Sequence, residues 1–351
     1  MNDTILNDRQ KKILEILQGS GGLSRLELAG LISFNKPVSK ITLIRDINTL
    51  IKAGLILAEG KGRSTSYFIP ITNPLLEYVD IDSYFSKEVD NRNARNNFNV
   101  NVFDNLTNLF TDKETAEWTR ASVEFKKRIT HLDKSIYKRE LERFIIEFSW
   151  KSAQIEGNTY DLLETETLLT QNIEAKGHSK EEAIMLINHK KAFNIILENK
   201  NSFINLNFAD IVQLHEALTK KLVTSGIRKQ PVRITGTYYA PPSSSAGLEN
   251  YLRKTIKLIN RTDFPPQKAM IASVMIAYIQ PFNDGNKRTA RTLSNAILLA
   301  HDFFPLSYRN VDVNEYRKAL ILFYEQNNLY HFKKMFFDQL EFALDNYFRI
   351  K

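Results

Sequence analysis

Apolar residues recur at helical spacing along most of this chain. After Asn7, a capping residue, Ile13, Leu14 and Leu17 share one helix face; Ser24 caps a second helix with Leu26, Leu28 and Leu31, and Glu27 takes the capping-box position. A third helix runs from Ser39 through Ile41, Leu43, Ile44, Ile47, Leu50 and Ile51 and stops near Gly54. A short apolar run, Leu55 to Ala58, the turn Glu59-Gly60-Lys61-Gly62 and a strand through Tyr67 to Ile69 then predict a hairpin. Residues 71–112 show no clear period over their Asn-rich and charged first part and read as a connector. From there helices are predicted near 114–129, 137–152, 161–169, 180–198, 207–222, 313–324 and 329–348. One segment differs. Between 228 and 242, Val232, Ile234, Thr235 and Tyr238 favour a β-hairpin, closed by Pro241-Pro242-Ser243.

The chemistry concentrates in residues 280–291, Gln-Pro-Phe-Asn-Asp-Gly-Asn-Lys-Arg-Thr-Ala-Arg. An apolar run, Ala269 to Ile279, ends there, and a new helix with Ala290, Leu293, Ile297 and Leu298 on one face begins. Lys287, Arg288 and Arg291 fall in the first turns of that helix, where the helix dipole favours acids. Three cations so placed call for an anion. With Gly285 allowing close approach and the free N–H groups of a helix start, the string describes a phosphate cradle, and Asp284 is placed to hold a divalent metal against those phosphates.

This string resembles the signature of the Fic (Fido) family, His-x-Phe-x-Asp/Glu-Gly-Asn-Gly/Lys-Arg-x-x-Arg, and matches every fixed position except the first, where Gln280 stands in place of the catalytic histidine. The resemblance implies nucleotide contacts from Gly285, Asn286, Lys287, Arg288 and Arg291, a Mg2+ ion at Asp284, and ATP as donor of AMP to a target-protein hydroxyl. It also implies that the chemistry is impaired. A glutamine amide is not basic near neutral pH, and losing a positioned general base removes roughly 10²–10⁴ in rate.

Further upstream, Ser152-Ala153-Gln154-Ile155-Glu156-Gly157-Asn158 ends the helix expected near 137–156. It is similar to the family's inhibitory motif, Ser/Thr-x-x-x-Glu-Gly/Asn, at Ser152, Glu156 and Gly157. In the family this glutamate pairs with the second signature arginine, here Arg291, and a carboxylate there takes the charge meant for the γ-phosphate. The resemblance covers about 113–351 and extends to 228–242 as the family's flap, where Val232, Ile234 and Thr235 would hold a target segment by backbone pairing. Lys287 is also the residue of the variant related to the toxin Doc, which transfers a phosphoryl group; Asp284-Gly285 and the inhibitory motif favour AMP transfer instead. His189 and His215 are expected to be structural.

Residues 1–70 look like a winged helix-turn-helix. Between Lys36 and Arg63, six Lys/Arg stand against Asp46 and Glu59. Ser39, Lys40 and Thr42 would lead a recognition helix and Arg63 would sit in the wing; DNA contact and a dimerisation or docking role both remain open. The expected fold is therefore mainly α: a Fic-type helical bundle with a β-hairpin flap, plus a small N-terminal winged helix domain.

Composition narrows the picture only slightly. The 351 residues contain no cysteine, which excludes disulfides and thiolate chemistry, and the net charge of +8 is modest for the length. No signal-peptide pattern opens the chain and no apolar run approaches the ~20 residues of a membrane span, so a cytoplasmic location is expected, with no membrane partner. Two functions stay open: an autoinhibited protein adenylyltransferase impaired at Gln280, and a non-catalytic ATP-sensing transcriptional regulator, with a homodimer conceivable for either.

Overall fold

The computed structural model describes residues 6–18, 22–32, 38–60, 62, 65–70 and 73–349. Lys36, Lys61 and Arg63 lie outside the described residues. The chain divides between Tyr84 and Phe85 into two compact units.

The first unit holds α1 (Asp8–Gln18), β1 (Leu23–Ser24), α2 (Arg25–Ile32), α3 (Lys40–Lys52), β2 (Leu57–Glu59) and β3 (Ser66–Phe68). Its strands form an antiparallel sheet in the order β1-β3-β2, with Leu23 opposite Tyr67 and Ala58 opposite Tyr67 on the other side. Ile13, Leu14, Leu17, Leu28, Leu43, Ile47 and Leu50 are buried in this unit. They are the residues that helical spacing puts on one face, which is why three short helices hold together here. Buried Asp46 ties α3 to α1 by accepting hydrogen bonds from Asn7, Arg9 and Gln10.

The second unit begins in the short helix α4 (Ile81–Phe85) and continues with α5 (Val102–Asn105), α6 (Asp112–His131), α7 (Lys134–Ile155), α8 (Leu162–Gln171), α9 (Lys180–Glu198) and α10 (Phe208–Thr219). After an irregular stretch come α11 (Ser245–Arg261), α12 (Pro265–Ile279), α13 (Asn286–Ala300), α14 (Val313–Gln326) and α15 (Tyr330–Asn346). The centre is the α12–α13 hairpin. Residues Ala269 to Ile279 are all buried, because α12 is apolar around its whole circumference and can be satisfied only when neighbours cover every side. α7, α9, α10, α11 and α14 supply that cover around the hairpin. Among the described residues no helix is long and apolar enough to cross a membrane.

Three expectations change. Residues 245–261, given no element above, form α11: Ser244 caps it, and Leu248, Leu252, Ile256 and Ile259 form its buried face. The flap segment 228–242 is extended but forms no hairpin ladder; it turns at Gly236 (φ +85°), and its one β-bridge pairs Ala240 with Asn97. Pro231 and Pro242 flank the segment and cannot donate to a ladder, and its ends are fastened elsewhere. The connector is not a loose tether either, since residues 92–99 are hydrogen-bonded to the flap segment, α12 and α14.

Candidate functional site

The loop between α12 and α13 is shaped by its own side chains. Gln280 ends α12 in the left-handed conformation (φ 50°, ψ 59°), and Gly285 (φ +77°) precedes α13. A Cβ on Gly285 would lie 2.7 Å from the methyl of Thr219, so this position needs glycine for both space and backbone. Asn286 staples the turn: its Oδ1 accepts from the Phe282 N–H at 2.9 Å and its Nδ2 donates to the Phe282 carbonyl at 2.8 Å. Sequence reasoning gave Asn286 to the nucleotide; here its carboxamide is engaged with the loop itself.

The cations that looked misplaced in the sequence have partners. Arg291 is fully buried, with Nε donating to Ser152 Oγ at 3.0 Å and Nη2 donating to the Ser152 carbonyl at 2.8 Å and to Glu156 Oε1 at 2.9 Å. The other Glu156 oxygen meets Lys287 Nζ at 2.8 Å. Ser152 and Glu156 are four apart, so the end of α7 presents both on one face toward α13. Gly157 (φ +100°) then turns the chain away, and Asn158 Nδ2 fixes the exit on the Glu182 carbonyl. Burial alone would raise the Glu156 carboxyl; the charges of Arg291 and Lys287, with their hydrogen bonds, reverse this and hold it at about 2 against an ordinary 4.5. The carboxylate is therefore charged throughout the physiological range.

His189 and His215 do pack in the core, as expected, but each stands one hydrogen bond behind a site residue. His189 Nδ1 lies 2.9 Å from the Met185 carbonyl, which can only accept, so Nδ1 carries the proton and Nε2 accepts from Ser152 Oγ at 3.0 Å. Ser152 is thereby left with its lone pair toward Arg291. Burial pushes the His189 imidazole down to about 3, which keeps it neutral and keeps this chain of donors in one direction. His215 Nε2 donates to the Asp284 carbonyl at 3.0 Å and its ring stacks on Phe282 at 3.7 Å; burial lowers it to about 4. Spacing in the sequence carries no signal for either contact.

Asp284 points its carboxylate at Arg288 Nη2, 2.7 Å away, and remains 62% exposed, whereas Arg288 is buried beneath the loop. Among the described residues no group of three or more His, Cys, Asp or Glu could hold a metal. One exposed carboxylate suits Mg2+ nevertheless, since that ion keeps several waters and takes its remaining ligands from phosphate. Gln280 differs in kind. It is buried, and its Nε2 turns back to donate to the Ala277 carbonyl at 2.7 Å. Its own carbonyl accepts from Arg228 Nε at 2.6 Å.

Arg228 is a residue the sequence reading overlooked. Its buried guanidinium faces main-chain carbonyls only: Gln280 of the loop, Gln230 at 2.7 Å and Pro242, so it binds both ends of the flap segment to the loop. Tyr239 adds a second anchor, its hydroxyl donating to the Tyr278 carbonyl at 2.8 Å. Between them, Val232 and Ile234 are half-buried and Thr235 is exposed; Pro231 to Gly236 make no main-chain to main-chain hydrogen bond among the described residues. Beside the flap tip, a cleft of about 700 Å3 opens between Gly236, Phe85, Arg92 and the first turns of α14, including Arg317 and Ile321.

Residues 205–298 match the model of the Fic/DOC family, a span that includes the flap segment and the α12–α13 loop. The chain is 28% identical over 217 residues to a protein adenylyltransferase Fic of Aedes aegypti, covering 60% of this chain and 43% of that one. It is 27% identical over 194 residues to the protein of the same name from Nematostella vectensis, covering 52% and 44%. It thus spans less than half the length of these curated relatives. In fold it resembles Fic-1 of C. elegans (TM-score 0.55, 22% identity, 66% of this chain and 71% of that). A Fic family protein of Desulfovibrio desulfuricans is similarly close (TM-score 0.55, 20% identity, 67% and 74%).

Proposed function

Starting from a Fic/DOC domain at residues 205–298, we propose that this chain is built as a protein adenylyltransferase, that Glu156 holds it off, and that Gln280 leaves it impaired. The observation that carries the reading is the double ion pair of Glu156 with Arg291 and Lys287. A carboxylate brought to two cations beside a helix N-terminus occupies the place of a phosphate. The names of the relatives, protein adenylyltransferase, supply the reaction. In it the oxygen of a target hydroxyl bonds to the α-phosphorus of ATP, the bond to the pyrophosphate oxygen breaks, and the hydroxyl proton needs a base. Arg291, Lys287 and Arg288 would neutralise the phosphates once Glu156 swings out. Mg2+, held by Asp284 with phosphate oxygens and water, would offset charge on the departing pyrophosphate. The unpaired edge of 231–236 would receive an extended target segment by strand addition.

Engagement of Lys287 with the inhibitory carboxylate supports AMP transfer over the Doc-like phosphoryl transfer that Lys287 also suggests. The first test is binding. In the Glu156→Gly variant with Mg2+, calorimetry is expected to show ATP binding at least about tenfold tighter than in the unaltered chain, the equivalent of ~1.4 kcal/mol. No heat from that variant at millimolar ATP would overturn the cradle.

A second reading, a non-catalytic ATP-sensing regulator, is favoured by Gln280, and radiolabel from α-labelled ATP in the Gln280→His, Glu156→Gly variant separates the two: a regulator transfers none even there. The first unit bears on that reading, because its three helices and three strands suit a winged helix. Ser39 caps α3, where Lys40 is exposed and Thr42 is half-buried. If this face grips DNA, affinity falls steeply with salt, and Lys40→Ala reduces the slope of log K against log salt by about one. A slope near zero would assign the unit to protein docking or dimerisation.

A further inference from the structure

Residues 92–99, near the start of the second unit, touch the flap segment. Arg92 is 4% exposed and reaches two ways: Nη1 pairs with buried Glu325 of α14 at 3.3 Å, and Nη2 donates to the Gly236 carbonyl at the flap tip at 2.9 Å. Its guanidinium lies 5.0 Å from the ring of Phe85. Three residues on, the Arg95 N–H donates to the Glu325 carbonyl at 2.9 Å. The Asn96 carbonyl then accepts from the Ala240 N–H at 2.8 Å, next to the bridge between Asn97 and Ala240. Phe98 packs on Tyr251 and Tyr278, and the Asn99 N–H donates to the Tyr278 hydroxyl at 2.9 Å. One side of this segment is thus fastened to α12 and α14, and the other side to the tip and the second half of the flap segment.

Residues 231–236 have no ladder of their own, so these contacts must decide where the flap lies. Arg228 and Tyr239 fix its two ends, and Arg92 holds the tip between them. We propose that residues 92–99 are a strap that sets the height of the flap above the α12–α13 loop, with Arg92 as the positioning residue. An extended protein segment added to the flap edge would then be presented at a distance chosen by the strap. That last consequence rests on the adenylyltransferase reading; the mechanical claim does not. Only a planar fork can serve Glu325 and Gly236 together. A lysine could keep the charge opposite Glu325 but could not also reach the Gly236 carbonyl.

The test uses the full chain with Arg92→Lys, and with Arg92→Ala as a second variant. Arg92→Ala leaves Glu325 buried and can destabilise the unit for that reason alone, so Arg92→Lys decides. Exchange of the Arg95 and Ala240 amides, which donate to the Glu325 and Asn96 carbonyls, is expected to speed up at least about tenfold in Arg92→Lys, with the amides of α12 and α13 and the melting temperature unchanged. In the Gln280→His, Glu156→Gly background, the same substitution is expected to lower self-labelling several-fold. Exchange of these two amides equal to that of the unaltered chain in Arg92→Lys would overturn the strap. Faster exchange with labelling unaffected would keep the strap and remove its link to transfer. Absence of labelling in the parent background would count against the reaction alone.

Discussion

The Gln280→His, Glu156→Gly double variant is expected to attach AMP to itself readily, while neither single variant approaches it. The two positions act on different terms. In the proposed reaction Gln280 stands where the hydroxyl proton would be received, and its amide is turned back onto the Ala277 carbonyl, so it offers no base. Histidine there, with an ordinary value near neutrality, would supply one, worth roughly 10²–10⁴ in rate. Glu156 would act on substrate: its oxygens hold Arg291 and Lys287 at 2.9 and 2.8 Å, the charges that a nucleotide's phosphates would use in the proposed reaction. Removing the competitor without restoring a base leaves labelling near background. Restoring the base without removing the competitor gives weak activity. Intact mass reads the outcome as a gain of one adenylyl group. Equal labelling in Glu156→Gly and in the double variant would show that Gln280 is no handicap, and its assigned role would fail.

Arg291→Met is expected to destabilise the second unit by up to about 3–5 kcal/mol, because it leaves the Glu156 carboxylate with Lys287 alone and removes the donors to Ser152. Glu156→Gln should cost less, since Arg291 keeps both Ser152 contacts. The dependence on pH carries the sign of the interaction. In the unaltered chain the Glu156 carboxyl is depressed from 4.5 to about 2, so its contribution is fully present above pH 4.5 and is lost as pH falls from 4.5 toward 2. In Arg291→Met the carboxyl is held down by Lys287 alone and is depressed less, so less stability is lost on protonation and the gap between the two proteins narrows as pH drops below 4.5. His215, held neutral at about 4, costs both proteins stability below pH 6.5 and cancels in the difference, whereas His189, depressed by burial and in part by the Arg291 charge, is depressed less in Arg291→Met and narrows the gap in the same direction. Denaturant unfolding at pH 7 and pH 3 measures it. A gap of the same size at both would mean that Arg291 is not held by the Glu156 charge. The same depressed value predicts that inhibition by Glu156 does not relax between pH 5 and pH 9.

Several features were written in short-range pattern. Continuous apolar character from Ala269 to Ile279 specified a helix buried on all sides, and Gly285 followed by three cations specified a strained turn opening a helix N-terminus. The capping residues Ser39 and Asp312 and the capping box of Ser179 with Glu182 are likewise local, since each satisfies N–H groups within four residues. α11 was equally legible, with apolar residues at positions 248, 252, 256 and 259 after a serine cap, and went unread. The expected flap ladder failed for the opposite reason. β preference in Val232, Ile234 and Thr235 needs a partner edge, and the chain spends that region's anchors on Arg228, Tyr239 and Arg92 instead.

The amino-acid sequence by itself determined most of the helices, the glycine turn that opens α13 and, through resemblance, the pairing of Glu156 with Arg291. Only the tertiary structure decided that Lys287 shares that carboxylate, that Ser152 is oriented by His189, that Arg228 closes the flap on the loop, and that a supposed connector straps the flap down. Each of these joins residues from separate elements through one or two hydrogen bonds. Such contacts leave no periodicity, because a single side chain reaching across a packed core is chosen by geometry at one position and not by a repeating face.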